Sequence, residues 1–243
     1  MTDRVVLVTG AAGGIGAAAA RDLAAEGLSV FAADIDAPAL DVVADDVSRR
    51  GGRMEAVGLD VRDTESVARC FDQVARRAGR LDALVCGAGI FPRVPFDATT
   101  ADVLDRVMDV NFRGSVLCVL AAVPLMRDGG SIVLLTSGAG DLEAAAHPFQ
   151  RGFSLYGASK AALDRWALGV AEELRDRHIT VVTLCPGAMV RTGGIERLGL
   201  AEPVLRGAVS PEAITPAILE LVMEFGRGGT ARRLRASEHG VAW

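Results

Sequence analysis

One tyrosine and one lysine, Tyr156 and Lys160, stand four residues apart in the stretch Ser154-Leu155-Tyr156-Gly157-Ala158-Ser159-Lys160, and the chain holds no second copy of either. Lysine and arginine together number 26, and only this one is a lysine. The distinction matters chemically, because an ammonium is a compact point charge and a guanidinium a wide planar fork. On a helix, positions i and i+4 share a face, so phenol and ammonium would project into the same space. A cation within roughly 4 to 6 Å favours a phenolate and brings a phenol down from its usual pKa of about 10, toward the range where it exchanges protons. The competing reading is a surface helix on which the two are chance neighbours.

The elements that would position this pair alternate along the chain. Residues 4–9 read as a buried strand, followed by Thr9-Gly10-Ala11-Ala12-Gly13-Gly14-Ile15-Gly16 and an alanine-rich helix from Gly14 to Glu26. Strand, glycine turn and helix in that order suit a pyrophosphate, which would lie against Gly10, Gly14, Ile15 and Gly16 at the positive end of the helix. A second strand, 28–33, runs into Asp34, whose carboxylate would accept hydrogen bonds from an adenosine ribose and repel a 2′-phosphate. Neither residues 11–13 nor Ile35 offers a basic side chain and Asp36 adds negative charge, so NAD is expected over NADP. The competing reading is a helix N-cap or a turn aspartate before Ala37.

Helices over 38–50 and 64–78 and strands over 53–58 and 81–86 continue the pattern, which predicts an α/β fold: a doubly wound parallel sheet of about seven strands in a single domain spanning 1–243. Ligands gather at strand carboxyl ends in such sheets. Asp60-Val61, the Gly87-Ala88-Gly89 turn and Ser137 fall there, with Thr136 the nearest competitor to Ser137. A helix over 101–125 carries Asn111, the only asparagine, which could simply face solvent. Strand 131–136, a helix over 157–177 with Leu163, Trp166, Ala167, Val170 and Leu174 on one apolar face, and strand 178–185 follow. Pro186-Gly187 breaks the chain, and 188–209 reads as a glycine-punctuated flexible lid containing Met189 and Thr192. A last helix, 211–225, and an edge strand, 232–236, complete the expectation.

With these residues in place, the sequence resembles the short-chain dehydrogenase/reductase family, single-domain branch, along essentially its whole length. The resemblance implies that Gly10, Gly14 and Gly16 cradle the dinucleotide, that Asp34 binds the adenosine ribose and that Asp60 and Val61 contact adenine. It further implies that Ser137 positions the substrate oxygen, Tyr156 exchanges its proton, Lys160 binds the nicotinamide ribose and tunes Tyr156, and Asn111 holds the water of a proton relay. Ala88 is also expected to contact the cofactor, and the segment holding Pro186, Gly187, Met189 and Thr192 would close over the nicotinamide.

Three features depart from the family pattern. Gly87-Ala88-Gly89 replaces the usual Asn-Ala-Gly, eighteen residues separate Ser137 from Tyr156, and the usual glycine-rich signature near the end of the chain is missing. The long segment after Ser137, with Leu142, His147, Phe149 and Phe153, is expected to wall the substrate pocket and to suit some hydrophobic bulk. Gly10, Gly13 and Gly16 also match the larger sugar-nucleotide branch, but only about 57 residues follow Pro186, too few for a separate substrate domain.

The predicted activity is NAD-dependent interconversion of a secondary alcohol and a ketone. A non-catalytic dinucleotide-sensing module and an NADP-dependent ketoreductase are the alternatives. Net charge of -5 and a pI near 5.3 oppose nucleic-acid binding, and Arg232, Arg233 and Arg235 read as a solvated edge. Cys70, Cys86, Cys118 and Cys185 and three histidines lack metal-ligand spacing, so no metal is expected. No signal peptide or membrane span is expected, which makes the cytosol the predicted location. A homodimer or homotetramer is expected through the helix carrying Tyr156, with Leu163 and Trp166 at the contact.

Overall fold

The structure, a computed structural model, describes residues 4–127, 129–143, 150–200, 202–223 and 232–236. Seven parallel strands form one sheet in the order β3-β2-β1-β4-β5-β6-β7: β1 Val5–Thr9, β2 Ser29–Asp34, β3 Arg53–Gly58, β4 Ala83–Cys86, β5 Gly130–Leu135, β6 Ile179–Cys185 and β7 Arg232–Arg235. The strand order reverses between β1 and β4, the topological switch point at which doubly wound sheets open a crevice. β1, Val5-Val6-Leu7-Val8-Thr9, is buried along its whole length. Its side chains alternate faces: Val6 and Val8 join one core, while Val5 and Leu7 join the other.

The first core is closed by α1 (Gly14–Ala25), α2 (Ala37–Arg49) and α9 (Thr215–Met223). Ala17 to Ala20 of α1 are all buried, and small side chains let that helix lie close on the sheet. The second core is closed by α3 (Thr64–Ala78), α5 (Gly114–Ala122) and α6 (Ser154–Glu173), through Val67, Phe71, Val74, Cys118, Leu163 and Ala167. Local signals set the helix ends. Asp36 caps α2 by accepting from the Ala39 amide, Asp63 caps α3 by accepting from the Glu65 amide, and Gly79 ends α3 at φ 70, a conformation glycine adopts without strain.

Three segments and the placement of one residue differ from the sequence reading. The helix expected over 101–125 is α4 (Ala101–Met108), a π turn (Asp109–Arg113), α5 and a closing 3-10 turn (Val123–Leu125). The π turn is what turns Asn111 inward, and π bulges recur at functional positions. As a whole the 101–125 stretch is long and apolar enough to cross a bilayer, yet it places Val107, Cys118, Val119 and Ala122 in the buried interior of the fold. Helix α6 begins three residues earlier than expected, so Tyr156 sits in its first turn. The 188–209 segment holds two short helices, α7 (Gly193–Glu196) and α8 (Glu202–Leu205). Its base is closed by Val209 N donating to Met189 O at 2.8 Å and Arg191 N to Val209 O at 2.8 Å. Leu163, expected at a subunit contact, is fully enclosed in the chain's own core, because its helix face points at the sheet.

Candidate active site

Ser137 follows β5 and caps a 3-10 turn, Gly138–Gly140, its Oγ accepting from the Ala139 amide at 3.2 Å. That turn lies directly on the start of α6. A Cβ on Gly157 would come within 2.5 Å of Ala139 O, and one on Gly140 within 2.9 Å of Ala161 N. Glycine at both positions therefore sets how closely the serine turn meets the helix carrying Tyr156, and the Ser137 and Tyr156 side chains both line the cleft. Lys160, one turn on, is buried, and its Nζ donates to Leu135 O at 2.8 Å.

The electrostatics depart from the sequence expectation. Burial pushes the Tyr156 phenol above its ordinary 10.0, against a lowering contribution from its Ser137 hydrogen bond. The Lys160 Nζ lies 6.0 Å from the Tyr156 ring centroid and donates to a main-chain oxygen. Burial brings the Lys160 ammonium down to about 8, Asp164 partly opposing the change. Both shifts follow from removing a charged form from water.

Asn111 is fully buried and does not line the cleft. Its amide closes a pair of bonds with one residue, accepting from Ile90 N at 2.8 Å and donating to Ile90 O at 2.8 Å. It also donates to Ser159 Oγ at 3.0 Å, and that hydroxyl in turn donates to Tyr156 O at 2.7 Å. The sole asparagine thus joins the loop after β4 to α6, and the side-chain amide expected to hold a relay water is engaged with protein.

The other expected residues converge on one cleft of about 1160 Å³ at the carboxyl ends of the strands. Gly10, Gly14, Ile15, Gly16, Asp34, Asp60, Val61, Ala88, Ser137, Tyr156, Lys160, Pro186, Gly187, Met189 and Thr192 all line it. The glycines of the turn are required by the chain's own packing, as the tight turn and close helix contact of a dinucleotide-binding loop demand. Gly10 has φ +71 and a Cβ there would strike Ala88 N at 2.6 Å, while a Cβ on Gly16 would lie 2.2 Å from Gly10 O. Asp34 is not a helix cap, a place Asp36 takes, but it does close a turn: Oδ1 accepts from Asp36 N, and Oδ2 reaches the glycine turn to accept from Ala12 N, each at 3.0 Å. Across the cleft, the methyl of Thr192 stands 3.0 Å from a Cβ built on Gly14, so the expected lid reaches the glycine turn. The residues present fit a dinucleotide stretched from Asp34 to Tyr156.

Several site features were missed in the sequence. Thr9 Oγ1 accepts from Gly87 N at 3.2 Å and Ala88 N at 3.3 Å, fixing the central strand ends where the family amide is missing. A Cβ on Gly87 would sit 2.7 Å from Thr9 O, so asparagine does not fit this approach. Arg62 grips Asp60 with a 2.7 Å Nη2–Oδ2 contact and holds that carboxyl below its usual range. Arg235, read as part of a solvated edge, lines the cleft and pairs with Asp141 at 3.2 Å. Phe91, which stands two residues beyond the Gly87-Ala88-Gly89 turn, packs beside Tyr156. Of the expected pocket wall, Phe153 lines the cleft, whereas Leu142 is 91% exposed and does not; His147 and Phe149 lie outside the described residues. Among the described residues no cluster of three histidine, cysteine, aspartate or glutamate side chains offers a metal site.

A doubly wound sheet with a glycine turn at its switch point and a Ser, Tyr and Lys cluster at its carboxyl edge defines a dinucleotide-dependent oxidoreductase in outline. The chain belongs to the short chain dehydrogenase family, whose model matches residues 4–200, and members of that family use nicotinamide dinucleotide cofactors. It is 33% identical over 191 residues to the hydroxynaphthalene reductase-like protein Arp2 of Metarhizium brunneum, covering 78% of this chain and 69% of that one. It is 35% identical over 194 residues to the oxidoreductase UcpA of Escherichia coli K12, covering 79% and 71%. A crystal structure of a dehydrogenase/reductase from Sinorhizobium meliloti 1021 superposes with TM-score 0.81 at 31% identity, covering 97% of this chain and 95% of that one.

Proposed function

We propose that this protein interconverts a secondary alcohol and a ketone with NAD, Tyr156 serving as the general acid and base. The observation that carries the reading is the convergence of Ser137, Tyr156 and Lys160 on the same cleft that Asp34 and the glycine turn line. Bound in that cleft, the nicotinamide supplies the hydride acceptor or donor. Ser137 and Tyr156 would together hold the substrate oxygen. The tyrosine hydroxyl would give up its proton to a carbonyl oxygen as the alcohol forms, and take it back in the reverse direction.

Lys160, one helical turn away, would keep a positive charge beside this exchange and reach the nicotinamide ribose. Asn111 would act at one remove by fixing Ile90 and Ser159. Gly10, Gly14, Ile15 and Gly16 would receive the pyrophosphate, Asp60 and Val61 the adenine, and Ala88, Pro186, Gly187, Met189 and Thr192 the nicotinamide half. The Asp34 carboxylate favours NAD over NADP, since a 2′-phosphate would meet its negative charge. The protein would work as a homodimer or homotetramer in the cytosol, where its four buried free thiols stay reduced.

The test is a panel of secondary alcohols and ketones followed by NADH absorbance. The reading predicts turnover with NAD or NADH on at least one class. Tight NAD binding with no turnover on any of them would instead mark a dinucleotide-sensing module.

A further inference from the structure

We infer that Phe91 and Phe153 form a rigid aromatic pincer around Tyr156 that selects a planar, ring-bearing aromatic ketone or its benzylic alcohol over a saturated substrate of the same size. The inference rests on the oxidoreductase reading of this site and adds the substrate class. The Phe91 ring meets Tyr156 at a centroid distance of 5.9 Å and 62°, and Phe153 meets it from another element at 6.4 Å and 68°. Both are edge-to-face approaches, and both phenylalanines line the cleft into which Tyr156 opens.

Neither ring is free to swing away. Phe91 is backed by α7 of the lid, where a Cβ on Gly194 would lie only 2.4 Å from its Cζ, so only a glycine admits this approach. Phe153 is 6% exposed and carries the Arg93 guanidinium 6.0 Å from its centroid; Arg93 is itself held by Nε donating to Arg151 O at 3.1 Å.

A substrate that brings its oxygen to Ser137 and Tyr156 must lay its remaining atoms between these rims. Aromatic rings present a positive edge and a negative face, and edge-to-face pairs gain affinity beyond the area they bury. A saturated ring fills the same space without that gain. Because the rims are already fixed, little ordering cost is incurred on binding. Each contact is worth a factor of about 2 to 12, so two together predict discrimination of about 4- to 140-fold, with tenfold near the cautious end.

The experiment compares 1-tetralone with 1-decalone, fused bicyclic ketones that differ in one aromatic ring. Their Kd values for the full-length protein with saturating NAD, which cannot reduce a ketone, are measured by calorimetry, and NADH consumption is followed in separate assays. Tetralone should bind about tenfold more tightly, and Phe91→Leu and Phe153→Leu should each shrink the ratio, with NADH affinity reporting that the variants are folded. Equal Kd values in the wild type, no binding of either ketone, or a ratio that survives both substitutions would overturn the pincer. The readouts separate the two levels, since a binding preference without turnover on any carbonyl counts against the oxidoreductase reading alone.

Discussion

Lys160 Nζ donates to the main-chain oxygen of Leu135 at 2.8 Å, which ties the second turn of α6 to the end of β5, two residues before Ser137. The bond sets the register between the strand that delivers the serine and the helix that delivers the tyrosine. It also places a cation in a buried position, with measurable consequences for stability.

Burial lowers Lys160 from 10.5 to about 8. Between those values the unfolded chain keeps a proton that the folded chain has lost, so this group makes stability rise with pH across that window. The buried thiols act oppositely. Cys70 and Cys86 are pushed from 9.0 up to about 12, so above about 9 the unfolded thiols ionise, the folded ones do not, and stability falls. Wild type should therefore lose stability in alkali, and Lys160→Met should lose it more steeply, by up to about 1.4 kcal/mol per pH unit for one proton. Urea unfolding at pH values on either side of the window measures this. Parallel stability curves for the two proteins would show that Lys160 carries no such shift.

Gly157→Ala places a Cβ where Ala139 O stands at 2.5 Å, so the serine turn must retreat from α6. The expected outcome is a folded protein whose kcat falls about 10- to 100-fold with NADH affinity near that of wild type, because displacement by a fraction of an ångström breaks reacting geometry. Steady-state kinetics with NADH titration checks it, and an unchanged kcat would mean that the turn adjusts without moving Ser137.

Asp34 tests cofactor choice. Its carboxylate holds Ala12 N and Asp36 N and faces the cleft, so wild type should favour NAD strongly in kcat/KM, and Asp34→Ala should narrow the gap. Equal efficiency with NADP in the wild type would contradict the assignment.

Asn111→Ala removes both partners of the Ile90 main chain and the donor to Ser159. Leaving buried polar groups without partners costs about 1–3 kcal/mol, a loss to be read from denaturant unfolding. A change below about 0.5 kcal/mol would mean that water replaces the amide.

The sheet was legible because its strands are short β-branched runs with glycine turns after them, as in Val5 to Gly16. Every expected cofactor-binding residue falls on the cleft because ligand positions in this fold follow strand ends. What escaped depends on three-dimensional closure. No period in 101–125 reveals the π turn that buries Asn111, since its local sequence is helical on both sides. Phe91 and Gly194 are far apart in sequence, and their meeting follows from the fold of the lid. The sign of the Tyr156 shift was missed because i,i+4 spacing shows a shared helix face but not the burial that raises the phenol; nor does it show that Lys160 Nζ takes the Leu135 carbonyl.

The proton exchange assigned to Tyr156 is tested most directly by Tyr156→Phe, which deletes one oxygen and leaves the ring among Phe91 and Phe153. On whichever alcohol or ketone the wild type turns over, single-turnover rates should fall by about 10² to 10⁴, the range for a lost general acid or base, while NADH affinity stays within a few-fold. A phenylalanine variant that keeps the wild-type rate would contradict the account.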